Sequence, residues 1–222
     1  MAVKQATKKL RIAKPQEERR SDLLNASAIV FARSGVAEAK VEDITELAGV
    51  SKGTFYLYFT SKDEAASALW QRYIDEFIRI GESVLADGRL SSSERIAAVF
   101  EALSRYVLSK AEMHRTVYRA ADAQAEKIAA NQRLIELIVK TVQRGIAKGE
   151  LSCDEPELSV RFLYHGICGG LHDAISSREP LRANTLIKTG TRMAQMVFPP
   201  LDKRSAGPRL SEAIKPLRTR RA

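Results

Sequence analysis

Apolar residues recur at helical spacing along most of this 222-residue chain. Side chains three and four positions apart lie on one face of an α-helix, so this repeat predicts amphipathic helices. The stretch after Ser91 shows the pattern, with its apolar face on Ile96, Val99, Phe100, Leu103 and Val107. Serine followed three residues later by glutamate marks a helix start and occurs at Ser61–Glu64 and Ser91–Glu94. No segment alternates as a strand does, so we predict an all-α fold.

The pattern divides the chain into four parts. We predict a basic arm over residues 1–15, a small helical domain over 16–62, a larger helical domain over 63–200 and a basic tail over 201–222. The two ends carry a net charge of +5 each and the whole chain +9, so the folded body is nearly neutral. A solvated tail has the same composition as a nucleic-acid-binding one, so the charge alone supports DNA binding only weakly.

Cysteine usage and hydropathy indicate the compartment. Cys153 and Cys168 are too few for a disulfide framework in a chain of this size, so we expect free thiols. No apolar run approaches the roughly 18 residues that a membrane-spanning helix needs. No apolar block follows the basic N-terminus, so a signal peptide is not expected. We expect a cytoplasmic protein that is not bound to a membrane.

Residues 41–59 are the most informative stretch. The first part predicts a short helix with an apolar face, formed by Ile44, Leu47 and Ala48. Gly49 can supply a turn with positive φ, and Ser51 can cap a second short helix. Such a pair can place its second helix in the major groove of DNA, with the outward residues being Lys52, Gly53, Thr54, Tyr56 and Leu57. The spacing alone fits an ordinary helical hairpin equally well.

A wider set of residues resembles the tetracycline-repressor (TetR) family of transcriptional regulators. The matching residues are Ala32-Arg33-Ser34-Gly35, Val41 with Ile44, and Ala48-Gly49-Val50-Ser51-Lys52-Gly53-Thr54-Phe55-Tyr56-x-Tyr58-Phe59-x-Ser61-Lys62. The resemblance implies about nine helices, an N-terminal helix-turn-helix domain, dimerisation through the last two helices and a ligand cavity in the C-terminal domain. It implies a sequence-specific DNA-binding regulator, and we expect a repressor that a small apolar ligand releases from an inverted-repeat operator.

The resemblance also implies which residues contact DNA. Those assigned to the major groove and its phosphates are Lys52, Gly53, Thr54 and Tyr56, and Tyr58 is placed close to a backbone phosphate. Lys62, at the start of the fourth helix, is placed on a phosphate, where the helix dipole also favours an anion. The family usually has threonine or serine just before Val41, whereas this chain has Lys40. That lysine can reach a phosphate as a point charge but has no hydroxyl with which to cap the helix.

The C-terminal domain contains candidates for a ligand pocket between the fourth and eighth helices. They are Trp70, Tyr73, Phe77, Tyr106, Met113, His114, Tyr118, Phe162 and His165. Aromatic residues at helical spacing more often belong to a plain core, so the pattern alone does not establish a pocket.

One predicted helix also contains possible metal ligands. His165, Cys168 and His172 are spaced so that they share one face, which would suit a metal-responsive regulator. The same helix is the expected dimer seam, where three glycines allow close approach: Gly166, Gly169 and Gly170. Polar side chains paired across a two-fold axis explain the face better, so we predict no metal site. We expect a homodimer through helices at about 157–177 and 184–198.

Motifs for catalysis are absent from the sequence. It contains no glycine-rich phosphate loop, no nucleophile elbow and no paired metal-ligand motif. We therefore expect neither an enzyme nor a bound cofactor. An enzyme that carries a DNA-binding module and a non-specific DNA binder stay as alternatives.

Overall fold

The computed structural model describes residues 15–117, 124–177 and 183–201. Within these ranges the chain forms nine α-helices, and its β-structure is a single bridge between Leu151 and Pro200. The helices are α1 (Gln16–Glu38), α2 (Val41–Ala48), α3 (Lys52–Tyr56), α4 (Lys62–Leu85), α5 (Ser92–Ser109), α6 (Ala111–Val117), α7 (Gln124–Ala147), α8 (Pro156–Ser176) and α9 (Ala183–Val197). The predicted all-α fold with about nine helices is confirmed. The predicted arm and tail lie outside the described residues, apart from Pro15 and Leu201.

Two serines cap the long helices α4 and α5. At α5 the capping box is complete, because Ser91 Oγ accepts from the Glu94 amide and the Glu94 carboxylate accepts from the Ser91 amide. At α4 Ser61 Oγ accepts from the Glu64 amide at 3.1 Å, but the Glu64 carboxylate accepts from the amide and hydroxyl of Thr60. The predicted box at Ser61 is therefore half formed, and the other half stabilises the preceding residue.

The first helix is interrupted near its C-terminal end. Gly35 has φ 76° and ψ 165°, values that a side chain would disfavour, and a short final turn follows it to Glu38. The backbone amide of Ala39 then donates to Gly35 O and ends the helix. This corner sets the direction in which the chain enters α2.

The long helix α4 connects the two ends of the described fold. It packs against α1 on the N-terminal side and against α5 and α7 on the C-terminal side. Its buried face includes Leu69, Trp70, Tyr73, Ile74 and Phe77. Helix α5 also packs against α9, and α8 packs against α7 and α9. The predicted domain division at residue 62 falls on the first residue of α4 and stays a prediction.

A helix that crosses a bilayer must be both long and apolar. No helix within residues 15–117, 124–177 and 183–201 combines these two properties.

Candidate DNA interface and effector cavity

Helices α2 and α3 are joined by a tight turn at Gly49. This glycine is left-handed, with φ 66° and ψ 37°, and it ends α2. Ser51 then caps α3 by accepting from the Thr54 amide at 3.2 Å. Ile44 of α2 and Phe55 of α3 are fully buried and hold the two helices against the rest of the domain. The sequence-based prediction of a helix-turn-helix at residues 41–59 is confirmed.

The outer face of α3 and the residue that follows it are open to solvent. Lys52 and Gly53 are exposed, Tyr56 is 49% exposed and Leu57 is 79% exposed. Thr54 is half-buried, and its hydroxyl lies 2.9 Å from Ser51 Oγ, so it also supports the cap. An exposed tyrosine beside an exposed leucine gives this face both a hydroxyl and an apolar surface with which to touch base edges.

Lys52 forms an ion pair with Glu42 across the motif. Their hydrogen bond lowers the pKa of Glu42 and raises the pKa of Lys52. Both side chains are largely exposed, so the pair contributes little to stability. It does hold the Lys52 ammonium on the side of α3 that faces α2.

The three remaining predicted DNA contacts lie around the motif. Lys62 donates to the carbonyl oxygens of Ala37 and Ala39, at the corner between α1 and α2. Lys40 is exposed at the N-cap of α2, which has no side-chain cap, as its sequence suggested. Tyr58 is half-buried. The structure thus gives Lys62 a structural role that the sequence did not predict.

A second candidate site lies inside the C-terminal helices. It is a cavity of about 90 Å³ between α4 and α8, and α5, α6 and α7 also contribute lining residues. Its lining residues are Trp70, Tyr73, Ile74, Phe77, Val107, His114, Asn131, Cys168, Leu171 and His172. The position agrees with the predicted location between the fourth and eighth helices.

Aromatic rings form one wall of the cavity. Tyr73 stacks on Trp70 and on Tyr106, with ring centroids 5.1 Å apart in each pair. His114 meets Trp70 edge-on, and its ring centroid is 6.0 Å from that of His172. The wall is therefore flat and apolar, with imidazole groups at one side.

Polar groups on α7 and α8 complete the lining. Tyr164 donates to Asn131 Oδ1 at 2.8 Å, which fixes the amide that faces the cavity. Burial raises the pKa of the Cys168 thiol to about 11 and raises the pKa of Tyr164 well above its ordinary value. Both groups stay neutral at physiological pH, so the cavity suits a largely apolar molecule with few polar atoms.

The structure brings together only part of the predicted pocket. Four predicted residues line the cavity: Trp70, Tyr73, Phe77 and His114. Tyr106 and Met113 line a separate groove beside it. Tyr118 lies outside the described residues.

Phe162 and His165 do not line the cavity, and the prediction is corrected for both. They are exposed, Phe162 by 78%, because α8 turns them to its outer face while its inner face packs on α7. The inner face was missed as a pocket wall, although Cys168, Leu171 and His172 are spaced as one side of a helix. Nothing in the sequence marked Ile74, Val107 or Asn131 as pocket residues.

The fold divides the face of α8 that a metal-responsive regulator would have used. His165 is exposed, whereas Cys168 and His172 line the cavity, so the three do not converge on one point. Within the described residues, no group of three or more His, Cys, Asp or Glu side chains is placed to hold a metal ion.

Comparison with known proteins gives related regulators. Residues 23–69 match the family described as bacterial regulatory proteins, tetR family. The transcriptional repressor KstR2 from Mycobacterium tuberculosis is 29% identical over 168 residues, which cover 71% of this chain and 80% of that protein. The transcriptional activator FasR from Mycolicibacterium smegmatis is 28% identical over 120 residues, and the match spans 54% of each chain.

The fold is also similar to that of a solved transcriptional regulator. The crystal structure of a TetR-like transcriptional regulator from Rhodococcus sp. RHA1 has a TM-score of 0.63 and 25% identity, and the match covers 82% of this chain and 96% of that one. The matched residues 23–69 contain the helix-turn-helix, the Gly49 turn and the start of α4. On this sequence match and this architecture, residues 23–69 form a DNA-binding domain of the tetR family of bacterial regulatory proteins, and the chain is a DNA-binding transcriptional regulator.

Proposed function

We propose that this regulator is a homodimeric repressor, which binds an inverted-repeat operator and is released from it by a small, largely apolar effector in the cavity. The observation that carries the proposal is the course of α4. Its first residue, Lys62, contacts the corner between α1 and α2 that leads into the DNA-binding motif, and its residues Trp70, Tyr73 and Phe77 line the cavity. An effector that moves this helix would change the position of the motif.

The DNA interface is proposed to be the exposed face of α3 and its surroundings. We assign Lys52, Gly53, Thr54 and Tyr56 to the major groove and its phosphates, and Tyr58, Lys62 and Lys40 to the backbone. The exposure of Tyr56 and the capped start of α3 support this docking. A two-fold dimer would present two such helices to half-sites about one helical turn or slightly more apart.

Selection of bound sites from random DNA tests this interface. We expect an inverted repeat, and we expect Tyr56→Ala to weaken binding to it by a factor of about ten, as loss of about 1–3 kcal/mol at a base contact would. Tyr56→Phe is the matched control that separates the ring from its hydroxyl. Unchanged affinity in a dimeric Tyr56→Ala protein would contradict the docking.

The dimer interface is proposed to lie on the outer faces of α8 and α9. Large apolar side chains are exposed there: Leu158, Phe162, Met193, Met196 and Val197. No atom lies within 4 Å of the position that a Cβ would take at Gly166 or Gly169, so this part of α8 is open to a partner helix. Two such helix pairs would form a four-helix bundle that buries both apolar faces.

The sign of regulation rests on the relatives. The match to the repressor KstR2 covers 71% of this chain, and the match to the activator FasR covers 54%. We therefore propose repression. Transcription from a promoter that contains the selected site should fall when the protein is added, and a rise instead would contradict this part of the proposal.

Release by an effector is measurable at Trp70, which is the single tryptophan of the chain and lines the cavity. A ligand that enters the cavity should change Trp70 fluorescence and lower DNA affinity at the same concentration. The ligand must bind the DNA-free state more tightly, and a coupling of about 1–3 kcal/mol would change DNA affinity by roughly 5- to 150-fold. A response to Zn²⁺ alone that is lost in His172→Ala would contradict the apolar effector.

A further inference from the structure

A groove lies beside the cavity, between α1, α4, α5 and α6. Its volume is about 490 Å³, and it carries three basic side chains, Arg72, Arg79 and Lys110, and two acidic ones, Asp75 and Glu76. The proposed repressor mechanism does not use this groove. It is polar where the cavity is apolar.

A pair of stacked tyrosines separates the groove from the cavity. Tyr73 lines both spaces, and Tyr106 lines the groove and stacks on Tyr73. The Tyr106 hydroxyl donates to the Tyr73 carbonyl oxygen at 3.2 Å, and burial raises the pKa of Tyr106 to about 12, so this donor stays protonated. The wall between the two spaces is therefore made of these two side chains, which one hydrogen bond joins.

The cavity is too small to hold an effector unless a wall moves. An engineered protein cavity of about 150 Å³ accommodates benzene, whereas this cavity has a volume of about 90 Å³. A molecule larger than one ring must extend into neighbouring space, and the groove lies directly across the tyrosine pair. The occupant should therefore have an apolar part for the cavity and a second part for the groove.

The charges of the groove indicate what the second part should be. Arg79 donates to both carboxylate oxygens of Glu76, at 2.9 and 2.6 Å, so these two charges compensate each other. Asp75 accepts from the Gln71 amide at 2.8 Å. Arg72 donates to the neutral amide oxygen of Asn25 at 3.0 Å. Lys110 adds a further positive charge at the end of α5.

Arg72 differs from the other arginines that have a shifted pKa. Carboxylate partners raise the pKa of Arg79 and of Arg89. Burial lowers the pKa of Arg72, and the nearby Arg20 lowers it further. A partly desolvated guanidinium that donates to a neutral amide is a good binding site for a carboxylate, to whose two oxygens it can donate in bidentate geometry.

We propose that the groove binds the anionic head of an amphipathic effector, a carboxylate held by Arg72 and Lys110, while the apolar part of that molecule passes the Tyr73–Tyr106 wall into the cavity. This rests on the proposed role of the cavity as the effector site. Binding of the head can also affect the N-terminal helices that hold the DNA-binding motif. Asn25 lies on α1, so a carboxylate that competes with Asn25 for Arg72 weakens a link between α1 and α4.

Titrations of Trp70 fluorescence with 4-phenylbutyrate and with 4-phenylbutan-1-ol test the proposal. The two probes share the ring and chain and differ in the charge of the head. At near-neutral pH and fixed ionic strength, we expect the acid to bind the wild-type protein at least about ten-fold more tightly, as a charge-assisted hydrogen bond implies. Arg72→Gln should bring this ratio close to one, and Arg72→Lys should preserve most of it.

Arg105→Gln is the matched control. It removes a guanidinium from α5, the helix that supplies Tyr106 to the groove, but Arg105 is paired with Glu101 and does not line the groove. The ratio should be unchanged in this variant, and thermal unfolding should show that all three variants are folded. Equal affinity of the two probes for the wild-type protein, a ratio that survives Arg72→Gln, or binding of neither probe would overturn the anionic subsite. DNA binding measured without any probe tests the proposed function separately, since its loss would leave the ratio of probe affinities unaffected.

Discussion

Lys62 connects the start of α4 to the corner between α1 and α2, so its substitution should affect stability as well as DNA binding. Lys62→Met keeps the aliphatic stem and removes the donor to Ala37 and Ala39. We expect the free energy of unfolding, measured with urea, to fall by about 1 kcal/mol, a typical value for one hydrogen bond. DNA affinity should fall too, and its salt dependence should become shallower by about one contact.

Lys40→Met is the control for this experiment, because Lys40 is exposed and does not cap α2. This variant should lose DNA affinity with little change in stability. If Lys62→Met and Lys40→Met were equally stable, the contact of Lys62 with the helix corner would have no energetic role. The sequence could indicate that Lys62 begins a helix near DNA, but the carbonyl oxygens that it contacts are 23 and 25 positions away and appear only in the fold.

Cys168 gives a pH-dependent prediction at the level of a single residue. Its pKa is raised by burial from 9.0 to about 11, so the reactive thiolate is scarce until the pH approaches that value. At pH 8 the thiolate fraction should be about a hundred-fold smaller than for a thiol of ordinary pKa. In a Cys153→Ser background, alkylation by iodoacetamide should be slow and should rise about ten-fold per pH unit up to about pH 11. A rate that levels off near pH 9 would contradict the raised pKa.

Helix α8 allows the proposed dimer interface to be tested at a glycine. A Cβ at Gly169 would meet no atom of its own protomer within 4 Å, so Gly169→Leu should leave the protomer folded. On the proposed two-fold seam the same side chain would separate the partner helices. We expect the dimer dissociation constant, from sedimentation at low concentration, to rise by at least about ten-fold, since forced overpacking costs about 1–3 kcal/mol. A fully dimeric variant would place the interface elsewhere.

Gly145→Ala is the internal comparison for that test. Its Cβ would lie 2.7 Å from Ser92 Cβ and 2.9 Å from Leu151 Cδ2, where α7 packs on the start of α5. This variant should lower the free energy of unfolding of the protein by about 1–3 kcal/mol. Its dimer affinity should be affected less than that of Gly169→Leu.

The elements that the sequence predicted well are those defined by neighbouring residues. The Ser91 capping box and the Gly49 turn depend on hydrogen bonds and φ values within a few positions, so their residue types identify them. The orientation of α8 was not predictable in this way. Phe162 and Tyr164 are both aromatic, yet the first is exposed and the second is buried. The choice between such faces is made by α7 and α9, which pack on α8 from distant parts of the chain.

At the scale of the whole molecule, the decisive feature is that one helix serves two sites. Helix α4 contacts α1 through Arg72 and the corner between α1 and α2 through Lys62, and the same helix supplies four residues to the cavity wall. The sequence indicated the start of this helix and its aromatic residues. It could not give the volume of the cavity or the tyrosine wall, because these depend on how α5, α6, α7 and α8 pack around α4. Tight packing makes such a helix shift as a unit when the cavity is overfilled.

A side chain that overfills the cavity should therefore act as an effector that is always bound. In Cys168→Phe a ring enters a space of about 90 Å³, less than the roughly 150 Å³ in which benzene is known to fit. The resulting strain of about 1–3 kcal/mol can be relieved by moving α4, and it matches the coupling that changes DNA affinity by roughly 5- to 150-fold. We expect Cys168→Phe to bind the selected operator more weakly by a factor in this range, without ligand. Cys168→Leu adds fewer atoms and should retain most of the affinity. Circular dichroism and sedimentation would verify that both variants are folded and dimeric, and wild-type DNA affinity in such a Cys168→Phe dimer would contradict the coupling through α4.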